Sequence, residues 1–439
     1  MALQSLPSET LSEIFSYLST PDLISISSVS HEMHAVSEPV LYRKIELWTD
    51  SSRFSRLTLL LQILLSPGRE ALARQIRSLS WSDQGYEFNT PPSSITEQPP
   101  SRAIENLTAA ALRLGIDPPT SDLTQVILLL HLLPCLQYLT VFPPDDRGLF
   151  DEFMERLSPL QPVATLPLGL QSLRSFHWGA ITEYCGVSPK LLLTIMGLPR
   201  IQKIHVTVYS SFARYLDPSS AATIKPSTVT HLTLPPSAIP SSALTSILKA
   251  PRALEHLTYY VNGHTEPNLL HIGAALKPLQ NSLQYLYLEI GSTRYRSGTQ
   301  APSYTNLYHD EDTGNSQLRS DTIGSLRLWP VLWTVRCTLM ALLGKGREAQ
   351  TPQLAYILPA GIQELEILYD RYWTIDEAVD EVLGLLMHKE EMVKDLKRIA
   401  VCIDRRMRPE LEERLKAACT AASVELVETE EIYFTSSSF

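Results

Sequence analysis

Groups able to do chemistry are present in this chain of 439 residues, but they are not spaced as catalysis or metal binding requires. The eleven histidines are spread out, and His31 and His34 read as surface residues of a small helix. The five cysteines (Cys135, Cys185, Cys337, Cys402 and Cys419) are odd in number and scattered, with no C-x-x-C and no histidine at ligand spacing. They read as reduced, mostly buried thiols of a cytosolic or nuclear protein, since an extracellular domain would pair them. An H-E-x-x-H would gather zinc ligands on one helix face, and a G-x-S-x-G would expose a serine at a strand-to-helix elbow; neither occurs. There is no dinucleotide fingerprint or P-loop, and "GKGRE" at Gly344 lacks the upstream glycine that a phosphate cradle needs. Trp178, Trp329 and Trp333 read as core or groove lining. "DRRMRPELEER" from Asp404 concentrates Arg, and its acidic neighbours fit i,i+4 pairing on a solvated helix. No metal and no cofactor is expected, and neither is catalysis by the chain itself.

Composition narrows the alternatives. A 44% apolar and 19% charged chain is globular, and its length calls for two or more domains or one extended repeat array. The net charge of -10 argues against general nucleic-acid affinity, so no nucleic-acid partner is expected. The first forty residues hold Glu9, Glu13, Asp22, Glu32 and Glu38, read as a solvated polar face. No Lys or Arg precedes Arg43, which argues against a secretory signal, and no apolar run is long enough to span a membrane. An intracellular location, cytoplasmic or nuclear, is expected.

What remains is the chemistry of desolvated contact. In "LPSETLSEIFSYLSTPDLISISSVS", Pro7 suits a first helical turn, and Leu11, Ile14, Phe15 and Leu18 follow at i, i+3, i+4 and i+7. Ser19-Thr20-Pro21-Asp22 ends that helix and starts another, with Thr20 able to cap and Asp22 complementing the helix dipole. Leu23, Ile24, Ile26 and Val29 supply its apolar positions. The third segment, "HEMHAVSEPVLYRKIEL", adds Met33, Val36, Val40, Leu41 and Ile45. Three short helices of this size seldom bury enough surface to stand alone, so some of it meets the rest of the chain or a partner.

Leu6-Pro7-x-Glu9-x-Leu11-x-x-Ile14-Phe15-x-x-Leu18, then Pro21-Asp22-Leu23, Val29-Ser30-His31 and Leu41-Tyr42-Arg43, resembles the F-box motif over roughly residues 5 to 47. Thr10 stands where that family usually has an aliphatic residue, and Met33-His34 where a Trp is common. The resemblance implies docking on the Skp adaptor of a cullin-RING ubiquitin ligase. Carried over by position, Leu6, Pro7, Leu11, Ile14, Leu18 and Leu23 would meet the adaptor, Asp22 would cap the second helix, and Phe15 and Val29 would pack internally. Helical spacing alone gives one stripe and does not divide core from interface.

Beyond residue 50 an apolar-x-x-apolar-x-apolar pattern returns as "IRSLSW" from Ile76, "LQYLTV" from Leu136, "LRSFHW" from Leu173, "IQKIHV" from Ile201 and "VTHLTL" from Val229. It continues as "LEHLTY" from Leu254, "LQYLYL" from Leu283, "IGSLRL" from Ile323, "IQELEI" from Ile362 and "LKRIAV" from Leu396. So short a pattern is common by chance in an apolar-rich chain; its context is more telling. "SDLTQVILLLHLLPCLQYLTV", "SPKLLLTIMGLPRIQKIHV" and "SSALTSILKAPRALEHLTY" each read as capping Ser, amphipathic helix, Pro break and strand. Helix-plus-strand units at such spacing predict an irregular solenoid of the leucine-rich-repeat type, whose units bury a shared core only by stacking. The array resembles the receptor half of F-box proteins with leucine-rich repeats, though the asparagine that regular repeats place after the strand is missing from most copies. A doubly wound sheet is the alternative fold.

The expected organisation is therefore an α/β chain: an F-box over residues 1–47, then a leucine-rich-repeat-like solenoid over 48–439. Flexible insertions are expected at 84–102 and 291–321, the second carrying Tyr295, Tyr304 and Tyr308. A capped helix at "RPELEERLKAAC" and a last strand at "VELVE" close the pattern. The implied function is substrate recognition in an SCF-type ubiquitin ligase, with a Skp-type adaptor, through it a cullin, and an unknown target protein as partners. A non-degradative scaffold and an α/β enzyme with an unrecognised site are the alternatives.

Overall fold

The computed structural model describes residues 6–48, 55–82, 101–114, 122–142, 166–179, 186–208, 226–237, 239–261, 268–290, 322–344, 353–368, 372–402 and 407–427. The chain divides into two compact units, Met1–Thr207 with Thr223–Thr228, and Val208–Ala222 with Val229–Phe439. Expectations for Cys185, for residues 84–100 and for the whole of 291–321 lie outside the described residues. The last two residues of the first expected insertion, Ser101 and Arg102, begin a helix that runs to Arg113.

Three helices open the first unit: α1 (Ser8–Phe15), α2 (Thr20–Ser27) and α3 (His31–Leu41). Five parallel strands follow in chain order: β1 (Lys44–Trp48), β2 (Ser78–Ser82), β3 (Tyr138–Phe142), β4 (Ser175–Trp178) and β5 (Lys203–Val206). The second unit holds seven more, again paired parallel in chain order: β6 (His231–Ser237), β7 (His256–Val261), β8 (Tyr285–Ile290), β9 (Thr334–Thr338), β10 (Glu364–Leu368), β11 (Arg398–Val401) and β12 (Glu425–Val427). Helices lie between most successive strands, as a parallel connection requires. Neither unit reverses its strand order, the feature that defines a doubly wound sheet.

Register explains why the short apolar pattern recurs. The second apolar position of successive strands aligns as Leu79↔Leu139↔Phe176↔Ile204 in the first unit and Leu232↔Leu257↔Leu286↔Val335↔Leu365↔Ile399 in the second. All are at most 2% exposed, so each row is a continuous apolar layer shared by neighbouring strands. The leading positions Ile76, Leu136, Leu173, Ile201, Val229, Leu254, Leu283, Ile362 and Leu396 are equally buried.

Two strands depart from the expectation. "IGSLRL" from Ile323 forms none; β9 instead uses Leu332, Val335 and Cys337, which repeat the same spacing ten residues or so later. Gly324 has φ 86°, a left-handed conformation that breaks the pleat. The backbone there lies directly on the helix Leu269–Leu276: a Cβ on Gly273 would fall 2.1 Å from the Ile323 carbonyl oxygen. Conversely, Ile45, grouped with the third helical segment, lies in β1, because Tyr42 ends α3 and Lys44–Trp48 pairs with β2. The caps differ as well. Ser188 caps its helix as expected, accepting from the Leu191 amide at 3.1 Å, whereas the helix Ser241–Lys249 follows Pro240 with no side-chain cap.

Candidate functional site

The helical module is held from within. Leu11, Phe15, Leu23 and Met33 form its buried core, with Leu6, Leu18, Ile26, Val36, Val40 and Leu41 packed around them. Pro7 stands just before α1 and not in its first turn, and its carbonyl accepts from the Leu11 amide at 3.0 Å. The cap of α2 is Ser19 and not Thr20 or Asp22: its hydroxyl accepts from the Asp22 amide at 3.4 Å and donates to the Asp22 carboxylate at 2.5 Å. Ser30 caps α3 through the Met33 amide at 3.1 Å. Arg69, ahead of the helix Glu70–Gln75, donates to Glu38 at 2.8 Å, tying α3 to the strand region. His34 bonds Ser27 at 2.7 Å, and both it and His31 are exposed.

The six positions expected at the adaptor divide by burial. Leu11 (1% exposed) and Leu23 (5%) lie in the core; Leu6 and Leu18 are half-buried; Pro7 and Ile14 are exposed. Val29, expected inside, is 69% exposed, because it follows the end of α2 and turns outward. Ile14, Tyr17, Ile24 and Val29 are thus large apolar side chains left in water on one small module. Sequence reading missed Tyr17, although its i+3 relation to Ile14 is the available signal. Glu9, Glu13, Asp22 and Glu32 are exposed, as a solvated face demands.

Residues 3–48 match the F-box-like family. No curated protein matches the chain. The F-box-like module coincides with the helices carrying the exposed apolar side chains, and a match of this kind points to docking on a Skp-type adaptor.

A second candidate surface is the face of the strands turned away from the apolar rows. On β6–β11 it carries rings and charges. His231 and His256 stack at 4.2 Å, His256 and Tyr285 at 5.5 Å, and the Arg336 guanidinium lies 5.6 Å from the Tyr285 ring centre. Arg336 also pairs with Glu366 at 3.2 Å, and Tyr287 donates to Glu289 at 2.7 Å. Burial raises the Glu366 carboxyl above the ordinary carboxylate range, with Arg336 opposing it. The Tyr285 and Tyr287 hydroxyls are raised by burial too, so both rings stay neutral. In the first unit, His177 and His205 meet edge to face at 4.3 Å. Burial lowers His177 to about 4 and, with the neighbouring imidazole adding to it, His205 to about 3.

No group of three or more metal-ligating side chains occurs among the described residues, and Cys135, Cys337 and Cys419 are free thiols. Burial pushes the Cys337 thiol up to about 12, away from the reactive thiolate. No helix among the described residues is long and apolar enough to cross a membrane.

Proposed function

We propose that this chain is the substrate-recognition subunit of an SCF-type ubiquitin ligase. Residues 1–47 dock on a Skp-type adaptor and through it a cullin, and residues 48–439, as an irregular leucine-rich-repeat-like solenoid, hold a target protein. The chain performs no chemistry of its own. It raises the effective concentration of a target lysine beside a charged conjugating enzyme. Such a subunit works inside the cell, in cytoplasm or nucleus.

The observation that carries this reading is the exposure of Ile14, Tyr17, Ile24 and Val29 on the module that the F-box-like match covers. Apolar side chains clustered on so small a module cost solubility unless a partner covers them. Leu11 and Leu23 support the interface from behind by fixing α1 and α2, while Ile14, with Pro7, Leu6 and Leu18 beside it, supplies contact.

The test is reconstitution of the full chain with a Skp-type adaptor, a cullin-RING core and ubiquitin-transfer enzymes. Stoichiometric assembly, with ubiquitin passing to a protein captured by the chain, is expected. Assembly without transfer to any captured protein would favour the non-degradative scaffold, and failure of a folded chain to assemble would remove the reading altogether.

A further inference from the structure

The apolar-x-x-apolar start of each strand leaves two successive residues outside the core, one pair per strand along the same rim of the sheet. In the first unit these pairs are Arg43-Lys44, Arg77-Ser78, Gln137-Tyr138, Arg174-Ser175 and Gln202-Lys203. Their amides and carbonyls form one ladder: the Arg77 amide donates to Arg43, Gln137 to Arg77, Arg174 to Gln137 and Gln202 to Arg174, at 2.8 to 3.0 Å. Five of these ten residues are cations and none is an acid, in a chain whose net charge is -10. The corresponding pairs of β7, β10 and β11 in the second unit mix signs, with Glu255, Glu364, Lys397 and Arg398.

Four of the five rim cations also lack an ion pair among the described residues. Lys44 pairs with Glu46 at 2.6 Å, and Glu46 is the one acid on β1–β5. Arg43, Arg77, Arg174 and Lys203 have no ion pair among the described residues, and all but the half-buried Arg77 are exposed. Parallel strands lie about 4.8 Å apart, so Arg77 and Arg174, two strands apart, stand about 10 Å from one another. That is about three residues of an extended chain at about 3.3 Å each. Like charges held this close repel unless counter-charge joins them.

We propose that this rim is the docking site for an acidic segment of the target protein, an extended stretch with Asp or Glu about every third residue. The inference rests on the receptor reading for the identity of its occupant, and on the charge pattern of β1–β5 for its chemistry. Individual exposed ion pairs contribute little, so recognition comes from several carboxylates engaging the rim together, and it weakens with salt.

The experiment uses the full chain bound to a Skp-type adaptor and a fluorescein-labelled dodecapeptide, Glu at every third position with Gly and Ser between, followed by anisotropy at low salt. Binding is expected, with at least a tenfold loss in Arg77→Glu/Arg174→Glu/Lys203→Glu, a smaller loss in the matching Gln variant, and none in Lys397→Glu/Arg398→Glu. No binding to the wild-type complex, or equal binding to the triple variant, would overturn the proposal. Tighter binding of a twelve-nucleotide single-stranded RNA than of the peptide would overturn it in favour of nucleic acid. Co-elution of every variant with the adaptor, and an unchanged melting temperature, shows that a loss belongs to the rim; loss of the adaptor from the wild type instead counts against the receptor reading, and the peptide titration is then read on the chain alone.

Discussion

The helical module and the strand region treat their apolar residues in opposite ways. Across β2–β11 the inward positions are buried almost without remainder, row upon row. In the helical module, by contrast, Ile14 of α1 is 39% exposed, Ile24 of α2 58% and Tyr17 between them 83%, beside a buried core of Leu11, Phe15, Leu23 and Met33. The strand region is self-sufficient in its packing and the helical module is not. A strand's inner side chains are covered by those of its neighbours, whereas three short helices have more apolar surface than they can cover, and the excess faces outward.

Removing packing from either core has the largest expected effect. Phe176→Ala is expected to destabilise the first unit by about 3–5 kcal/mol, since Phe176 is 1% exposed between Leu139 and Ile204. Leu11→Ala is expected to cost about 2–5 kcal/mol by the same mechanism, so it reports on folding of the module before it reports on binding. Urea titration of each variant checks both, and a loss below about 1 kcal/mol at Leu11 would mean that the module's core is not closed.

Acid sharpens the comparison on the side of the strands. His177 and His205 are held neutral, at about 4 and about 3 against the ordinary 6.5. As pH falls below 6.5 the unfolded chain takes up protons that the folded one refuses. Stability is therefore complete above that value and drains away down to pH 4 and then 3. The expected loss at pH 5 is about 2 kcal/mol per imidazole. His177→Gln/His205→Gln should flatten the slope of urea stability between pH 7 and 5; an unchanged slope would show the imidazoles to be solvated. The smallest effect is expected at Thr374, which with Glu377 forms a reciprocal cap on the helix Ile375–Met387. Thr374→Ala should cost about 1 kcal/mol in thermal or urea melts.

Most of the strands were legible in the sequence, because a parallel strand buried on one face must repeat its inward residues at fixed spacing. "LQYLTV" and "LKRIAV" fall on β3 and β11 for that reason. "IGSLRL" carries the same letters and fails, since the left-handed Gly324 and its contact with the helix below depend on tertiary packing that no local pattern records. The Thr374-x-x-Glu377 cap was present in the letters and not read. At the module, the stripe Leu11, Ile14, Phe15, Leu18 was legible as a stripe, yet its division into buried Leu11 and exposed Ile14 was not. A helical face of this width has two edges, and only the placement of α3 decides which one is covered. Val29 was misjudged because a residue just past a helix cap has no periodicity to follow. The basic rim was invisible as a sequence feature, because its cations stand at the starts of four separate strands.

Titrating a Skp-type adaptor into the full chain by calorimetry, wild type against Ile14→Glu/Ile24→Glu, decides whether the surface left uncovered on α1 and α2 is an adaptor interface. Both side chains are already in water, so the substitution should leave urea stability within about 0.5 kcal/mol. Stoichiometric binding by the wild type and at least a hundredfold weaker binding by the variant, about 2.7 kcal/mol, are expected, because two charges would enter a desolvated contact. Equal affinity in the two proteins, with folding intact, would contradict an adaptor interface at this surface.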